Sequence, residues 1–168
     1  MSHPKIDYRD LIPNDPAMIV EIVRQAEERF KMQVQFALAS DARAGAMATW
    51  TSAMAGGFVI AAMGTLSGGA KVGALAAGLT FGLAAFCSIW AARPISFGCI
   101  GTLPNGWVDV VRDNEKLNES LAGYAAHLDG HLLANEDRMK LNGSWTRGAM
   151  WCMFMSPFVS LAAALLFA

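Results

Sequence analysis

The chain has 168 residues, of which 54% are hydrophobic and only 16% charged, and its net charge is −1. A soluble domain of this size carries about 25% charged residues, and a near-neutral chain with a pI of about 6.3 has no broad basic surface for a nucleic-acid polymer. The charge deficit is local: residues 44–70, 72–92 and 148–168 contain no Asp, Glu, Lys or Arg.

The first forty residues are rich in charge and hold no apolar signal-peptide core, so no cleaved leader is expected. Asn14-Asp15-Pro16 reads as a helix start, with a side-chain oxygen to cap and proline at the first helical position. Ile19, Val23, Ala26, Phe30, Val34 and Ala37 then recur at steps of three and four. They form one apolar stripe, with Glu21, Arg24, Glu28 and Lys31 on other faces. No breaker separates this stripe from the first uncharged stretch, so one long helix is predicted to run on into it.

Each uncharged stretch reaches the roughly 20 residues that a helix needs to cross a ~30 Å hydrocarbon layer. Spans are predicted at about 44–66, 72–92 and 147–168. Gly64, Ser67, Gly68 and Gly69 supply the turn between the first two. Arg93-Pro94 closes the second, and an irregular segment with Gly98, Gly101, Pro104, Asn105 and Gly106 follows. A second stripe then begins near Asp113: Leu117, Leu121, Tyr124, Leu128, Leu132, Asn135, Met139 and Asn142. Gly143 and Gly148 are places where this helix could bend, and Pro157 is expected to kink the last span.

The predicted architecture is therefore all-α: an integral membrane protein with three transmembrane helices and a membrane-proximal helical pair. Residues 1–43 and 93–146 form the polar parts, 44–92 a transmembrane hairpin, and 147–168 the third span. Lys5, Arg9, Arg24, Arg29, Lys31 and Arg43 precede the first span, and Arg93, Arg112, Lys116, Arg138, Lys140 and Arg147 lie between the second and third. Only Lys71 sits in the hairpin turn, so the positive-inside rule puts the N-terminus in the cytosol and the C-terminus outside. Trp50, Trp90, Trp145 and Trp151 gather at the span ends that the charges assign to the cytosol, as an interfacial belt would. Each stripe covers roughly 33–38 Å at 1.5 Å per residue. Both run toward the membrane, so they are expected to pair in parallel as a short coiled coil, within one subunit or between subunits.

Several residues carry candidate roles. Asp41 continues the first stripe at the membrane edge, where a carboxylate needs a partner, and Arg43, Arg93 and Arg147 are the candidates. The set reads as a structural ion pair, as a snorkelling side chain, or as a switch between the polar helices and the spans. Asn135 and Asn142, seven residues apart, occupy one heptad position and would fix register. Gly56, Gly57, Gly78 and Gly82, with Ser52 and Ala53, give the small-residue spacing that lets helices approach closely in lipid.

His127 and His131 stand four apart, within reach of one metal. With no third ligand at a fixed spacing and no Glu between them, they read as solvated or packed on a flank, and no metal or cofactor is expected. Cys87, Cys99 and Cys152 give neither a disulfide framework nor a metal spacing. No charge lies deep in a span, which disfavours an ion-coupled transporter. No Walker loop, dinucleotide fingerprint or nucleophile elbow is present, so no enzyme is expected.

The run Gln35-Phe36-Ala37-Leu38-Ala39-Ser40-Asp41-Ala42-Arg43-Ala44 leads into a hairpin closed by Arg93-Pro94, then a helix through Tyr124 to Asn142 and a last span. This pattern resembles the small transmembrane effectors of bacterial Pycsar-type antiphage systems, which lead into their first span with an Asp-x-[Lys/Arg]-Ala motif. The resemblance implies a bacterial inner-membrane protein, quiet until a cyclic-nucleotide signal makes it damage the membrane, with Asp41 and Arg43 at the junction of sensor and spans. The chain departs from that scheme in having no recognisable cyclic-nucleotide-binding fold. Sensing would then rest on the helical pair, on a pocket in a homo-oligomer or on a protein partner. Two other readings stand beside it: an accessory or scaffold subunit that docks a partner through its stripes, and a holin-like protein, although holins commonly end in a charged tail and this chain ends Leu165-Leu166-Phe167-Ala168.

Overall fold

The computed structural model describes residues 8–11, 16–64, 66–94, 108, 110 and 112–168. Asn14, Asp15, Cys99 and the segment from Gly98 to Gly106 lie outside the described residues. A 3-10 turn at Tyr8–Leu11 precedes three long helices: α1 (Pro16–Gly64), α2 (Gly68–Ala91) and α3 (Leu117–Leu166). No strand occurs among the described residues. All three helices are long and apolar enough to cross a membrane.

Local chemistry accounts for the ends. α1 begins at Pro16, whose fixed φ suits the first turn and whose missing N–H would have no partner there. It stops at Gly64, and α2 starts at Gly68, which takes a left-handed φ of 57° that a side chain would resist. α3 continues as one helix through Gly143, Gly148 and Pro157.

The chain divides into two compact units. The first comprises residues 1–36 and 95–138, and the second comprises residues 37–94 and 139–168.

In the first unit α1 and α3 lie side by side. Tyr124 donates its hydroxyl to Glu27, and further along both chains Gln33 donates to the Leu132 carbonyl, so the helices run in the same direction. The buried cluster is Ile19, Val23, Ala122, Ala125 and Leu128, with Tyr8, Ile22, Ala26, Leu121 and Tyr124 packed on it. On α1 the inward set continues through Phe30 and Gln33, and on α3 through Leu132 and Asn135. The α1 spacing of 19, 23, 26, 30 and 33 is a heptad a/d pattern, and so is 121, 125, 128, 132 and 135 on α3. Two flanking contacts fix the register: Tyr124 with Glu27, and Arg29 with Glu136 at 3.6 Å. Each joins a g position to an e position, which places Ile19 level with Leu121, Ala26 with Leu128, and Gln33 with Asn135. Burying each of Ile19, Phe30, Leu128 and Leu132 contributes roughly 1.5–3 kcal/mol, against about 0.2–1 kcal/mol for an exposed ion pair such as Arg29–Glu136. The apolar seam therefore dominates.

In the second unit α2 is the central helix and packs on both neighbours through small residues. A Cβ added at Gly78 would meet Val59 of α1 at 3.1 Å, and Phe58 stacks on Phe81 with centroids 5.7 Å apart. Toward α3, a Cβ at Gly73 would come within 2.9 Å of the Ser160 carbonyl, and one at Gly69 would collide with the Ala164 carbonyl. Ser160 donates to the Gly73 carbonyl at 2.9 Å and Thr80 to the Ser156 hydroxyl at 2.8 Å. Further along, Cys87 and Cys152 lie close enough to interact, the Cys87 sulfur would stand 3.9 Å from a Cβ placed at Gly148, and Trp90 meets Trp145 at 6.0 Å. The α2 numbers rise as the α3 numbers fall, so this seam is antiparallel.

That seam makes a covalent prediction. In a Cys99→Ser background, mild oxidation of the detergent-solubilised chain should link Cys87 to Cys152 within one molecule, seen as a joined peptide by mass spectrometry. Recovery of both thiols as separate alkylated peptides would contradict the pairing of α2 with α3.

Candidate functional site

The structure does not gather the predicted junction residues. The buried face of α1 passes from Gln33 through the half-buried Ala37 and Ser40 to the buried Ala44, whereas Asp41 and Arg43 are exposed. Placing Asp41 on the inward stripe is therefore corrected. The apolar Val34 suggested a step from 34 to 37 and on to 41, but the buried position is Gln33, and the 3.5-residue heptad then runs 37, 40, 44. Among the described residues no ion pair joins Asp41 to Arg43, Arg93 or Arg147. Arg43 donates instead to the Ala39 carbonyl one turn back. Arg93 lies over the Trp90 ring, 4.8 Å from its centroid, a cation–π arrangement. Arg147 lines a shallow apolar groove with Met150, Trp151 and Phe154.

Asp41 still has an unusual carboxyl. Partial loss of hydration along the helix raises its pKa above the ordinary 3.8, with no cation close by to oppose this.

The four glycines separate into two kinds. Gly78 is buried against Val59, while Gly56, Gly57 and Gly82 are exposed, and an added Cβ at any of the three would meet nothing within 4 Å. Within one chain, then, the close approaches use Gly69, Gly73 and Gly78. Gly69 and Gly73 also stand four apart, but Gly69 follows Gly64, Ser67 and Gly68 and so reads in the sequence as part of the turn.

The most distinctive polar feature is the layer of Gln33 and Asn135, buried in an otherwise apolar seam at 8% and 0% exposure. The Gln33 amide nitrogen reaches the Leu132 carbonyl at 3.2 Å, while its oxygen has no hydrogen-bond partner. Asn142, two turns further along α3 and in the second unit, is half-buried, and its side-chain oxygen also lacks a partner. Polar amides in such a seam weaken it and restrict which register and partner it accepts. Asn135 was legible from the heptad spacing; Gln33 was not, because the adjacent Val34 is the apolar letter and reads as the inward position.

The groove beside this seam is lined by Arg24, Gln25, Ala26, Glu28, Arg29, Met32, Asp129 and Leu132 and encloses about 600 Å³. Its cations are already engaged. Arg24 bonds to Glu21 and to Glu28, at 2.6 Å for the latter, and that pairing lowers the Glu21 pKa to about 2. Arg29 reaches Glu136. An anionic ligand here would have to displace carboxylates.

Among the described residues no group of three or more His, Cys, Asp or Glu is placed to hold a metal ion. Comparisons with protein families, with curated proteins and with solved structures find no match to this chain.

Two substitutions test these assignments. The double change Gln33→Leu, Asn135→Leu removes a buried side-chain oxygen that has no partner and should raise the thermal midpoint above wild type, read by circular dichroism in detergent. For Asp41 the folded-state pKa exceeds the unfolded one, so the carboxyl favours folding most below pH 3.8 and loses that contribution as pH rises through the folded value. Asp41→Asn should then raise the midpoint at pH 7 and leave it unchanged below that range.

Proposed function

We propose that this protein is a non-enzymatic, self-associating membrane protein in which the heptad pair of α1 and α3 sets how the apolar segments pack. On this reading it lies in the bacterial inner membrane with its N-terminus in the cytosol and its C-terminus outside. It acts as an antiphage effector that perturbs the membrane on a cyclic-nucleotide or protein signal. One observation carries the proposal: α1 and α3 are each a single helix that includes both a heptad seam and an uncharged stretch long enough to cross a bilayer. The resemblance in the run from Gln35 to Ala44 supports the effector role, and the polar Gln33–Asn135 layer supports a pair whose packing is conditional rather than maximally stable.

A second reading is favoured by one side of α1 in the first unit, where Met18, Met32 and Phe36 are about half exposed or more. Such apolar exposure on a polar unit suits an accessory subunit that docks a protein partner.

Inducible expression in bacteria with a potential-sensitive dye tests the leading proposal. Depolarisation and growth arrest that disappear in a Gln33→Glu, Asn135→Lys variant inserted at the same level are expected. Unchanged potential and growth at high expression, with and without added cyclic nucleotides, would count against the effector role. Recovery of one stoichiometric partner after crosslinking would then favour the accessory subunit.

A further inference from the structure

The imidazoles of His127 and His131 face each other across one turn of α3, with the two Nε2 atoms 2.8 Å apart, the ring centroids 4.3 Å apart and the planes at 88°. Spacing of four residues allows either convergent or outward-pointing rings, and here they converge. We propose that this pair is a binding site for a divalent transition-metal ion, held by the two Nε2 atoms with water in its remaining positions.

Each ring brings the atom that binds metals, and among the described residues each imidazole has only the other as a hydrogen-bond partner. His127 is exposed and His131 half-buried, so an ion reaches the pair from solvent without moving the seam. At a metal–nitrogen distance of about 2.05 Å, two nitrogens 2.8 Å apart subtend about 86° at the ion. That is close to the right angle of octahedral and tetragonal ions, Ni²⁺ and Cu²⁺. A tetrahedral ion such as Zn²⁺ would need the nitrogens about 0.5 Å further apart. Among the described residues no His, Cys, Asp or Glu joins the pair to make a group of three around one ion. The site is therefore a two-point chelate with open positions.

The chelate also has a place to act. It spans Gly130 and lies just beyond Gly123, two glycines that weaken this stretch of α3. An ion bridging residues 127 and 131 holds that turn in helical form, opposite the part of α1 that it must pack against. Metal binding thus couples to the stability of the first unit.

The test uses the full chain in detergent, without a polyhistidine tag, titrated with Ni²⁺ by calorimetry. Nickel avoids the thiol oxidation that Cu²⁺ brings. One saturable ion per chain is expected, with binding weakened about a hundredfold in either His127→Gln or His131→Gln, since each change removes the chelate and leaves one ligand. The thermal midpoint of the wild type should rise with Ni²⁺ and that of the variants should not, while circular dichroism reports whether the variants keep their helix. No saturable binding by the wild type, or equal binding by the folded double variant, would overturn the proposal. Neither result depends on membrane damage, so the site and the effector role fail separately.

Discussion

Neither α1 nor α3 can hide its own stripe, and the meeting of Ile19 and Val23 with Ala122, Ala125 and Leu128 is the contact on which the first unit depends. Everything else there is arranged around that seam. The flanking pairs Tyr124–Glu27 and Arg29–Glu136 are exposed or partly so, and they define which turn faces which more than they hold the helices together. A seam made of a few aliphatic side chains tolerates one polar layer, and Gln33 with Asn135 is that layer. The unit is thus built with a specified register and a reduced margin of stability.

The second unit solves a different problem. Its helices are apolar on the outside as well as the inside, so in a bilayer side-chain burial would distinguish little between arrangements. Contact is made instead by approach of backbones at Gly69, Gly73 and Gly78 and by short hydroxyl bonds, Thr80 to Ser156 and Ser160 to the Gly73 carbonyl. At one end the aromatic group of Phe86, Trp90 and Trp145 closes the seam, with Arg93 lying on the Trp90 ring. An arginine in that position is occupied by an indole, which explains why it does not serve a carboxylate.

Much of this was legible in the amino-acid letters because it depends on strong, local signals. Runs without charge, the glycines at 64 and 68, and Pro16 mark helix extents through physics that acts within a few residues. Repeats of apolar letters gave both stripes, and Asn135 fell on one of them. The failures have a common origin. Val34 and Gln33 are adjacent, and the apolar letter marks Val34 as the inward position, which shifts the face by one residue and turns the exposed Asp41 inward. Contacts between distant segments were out of reach for a second reason. Glycine spacing within α1 says nothing about which neighbour arrives, so Gly56 and Gly57 looked as useful as Gly78. Likewise, Cys87 and Cys152 are 65 positions apart in the chain, and only the antiparallel alignment of α2 with α3 brings them together.

The join between α2 and α3 has one more implication. A cavity between large side chains can absorb a mutation by rotating a neighbour, but where carbonyl oxygens stand against a bare α-carbon there is no neighbour to rotate. Residues 69 and 73 are consequently positions of near-zero substitutability, fixed by the absence of an atom, whereas 56, 57 and 82 are free to drift as far as the monomer is concerned. Any constraint observed at those three in natural variants would therefore have to originate outside the single chain, in whatever packs against those helices.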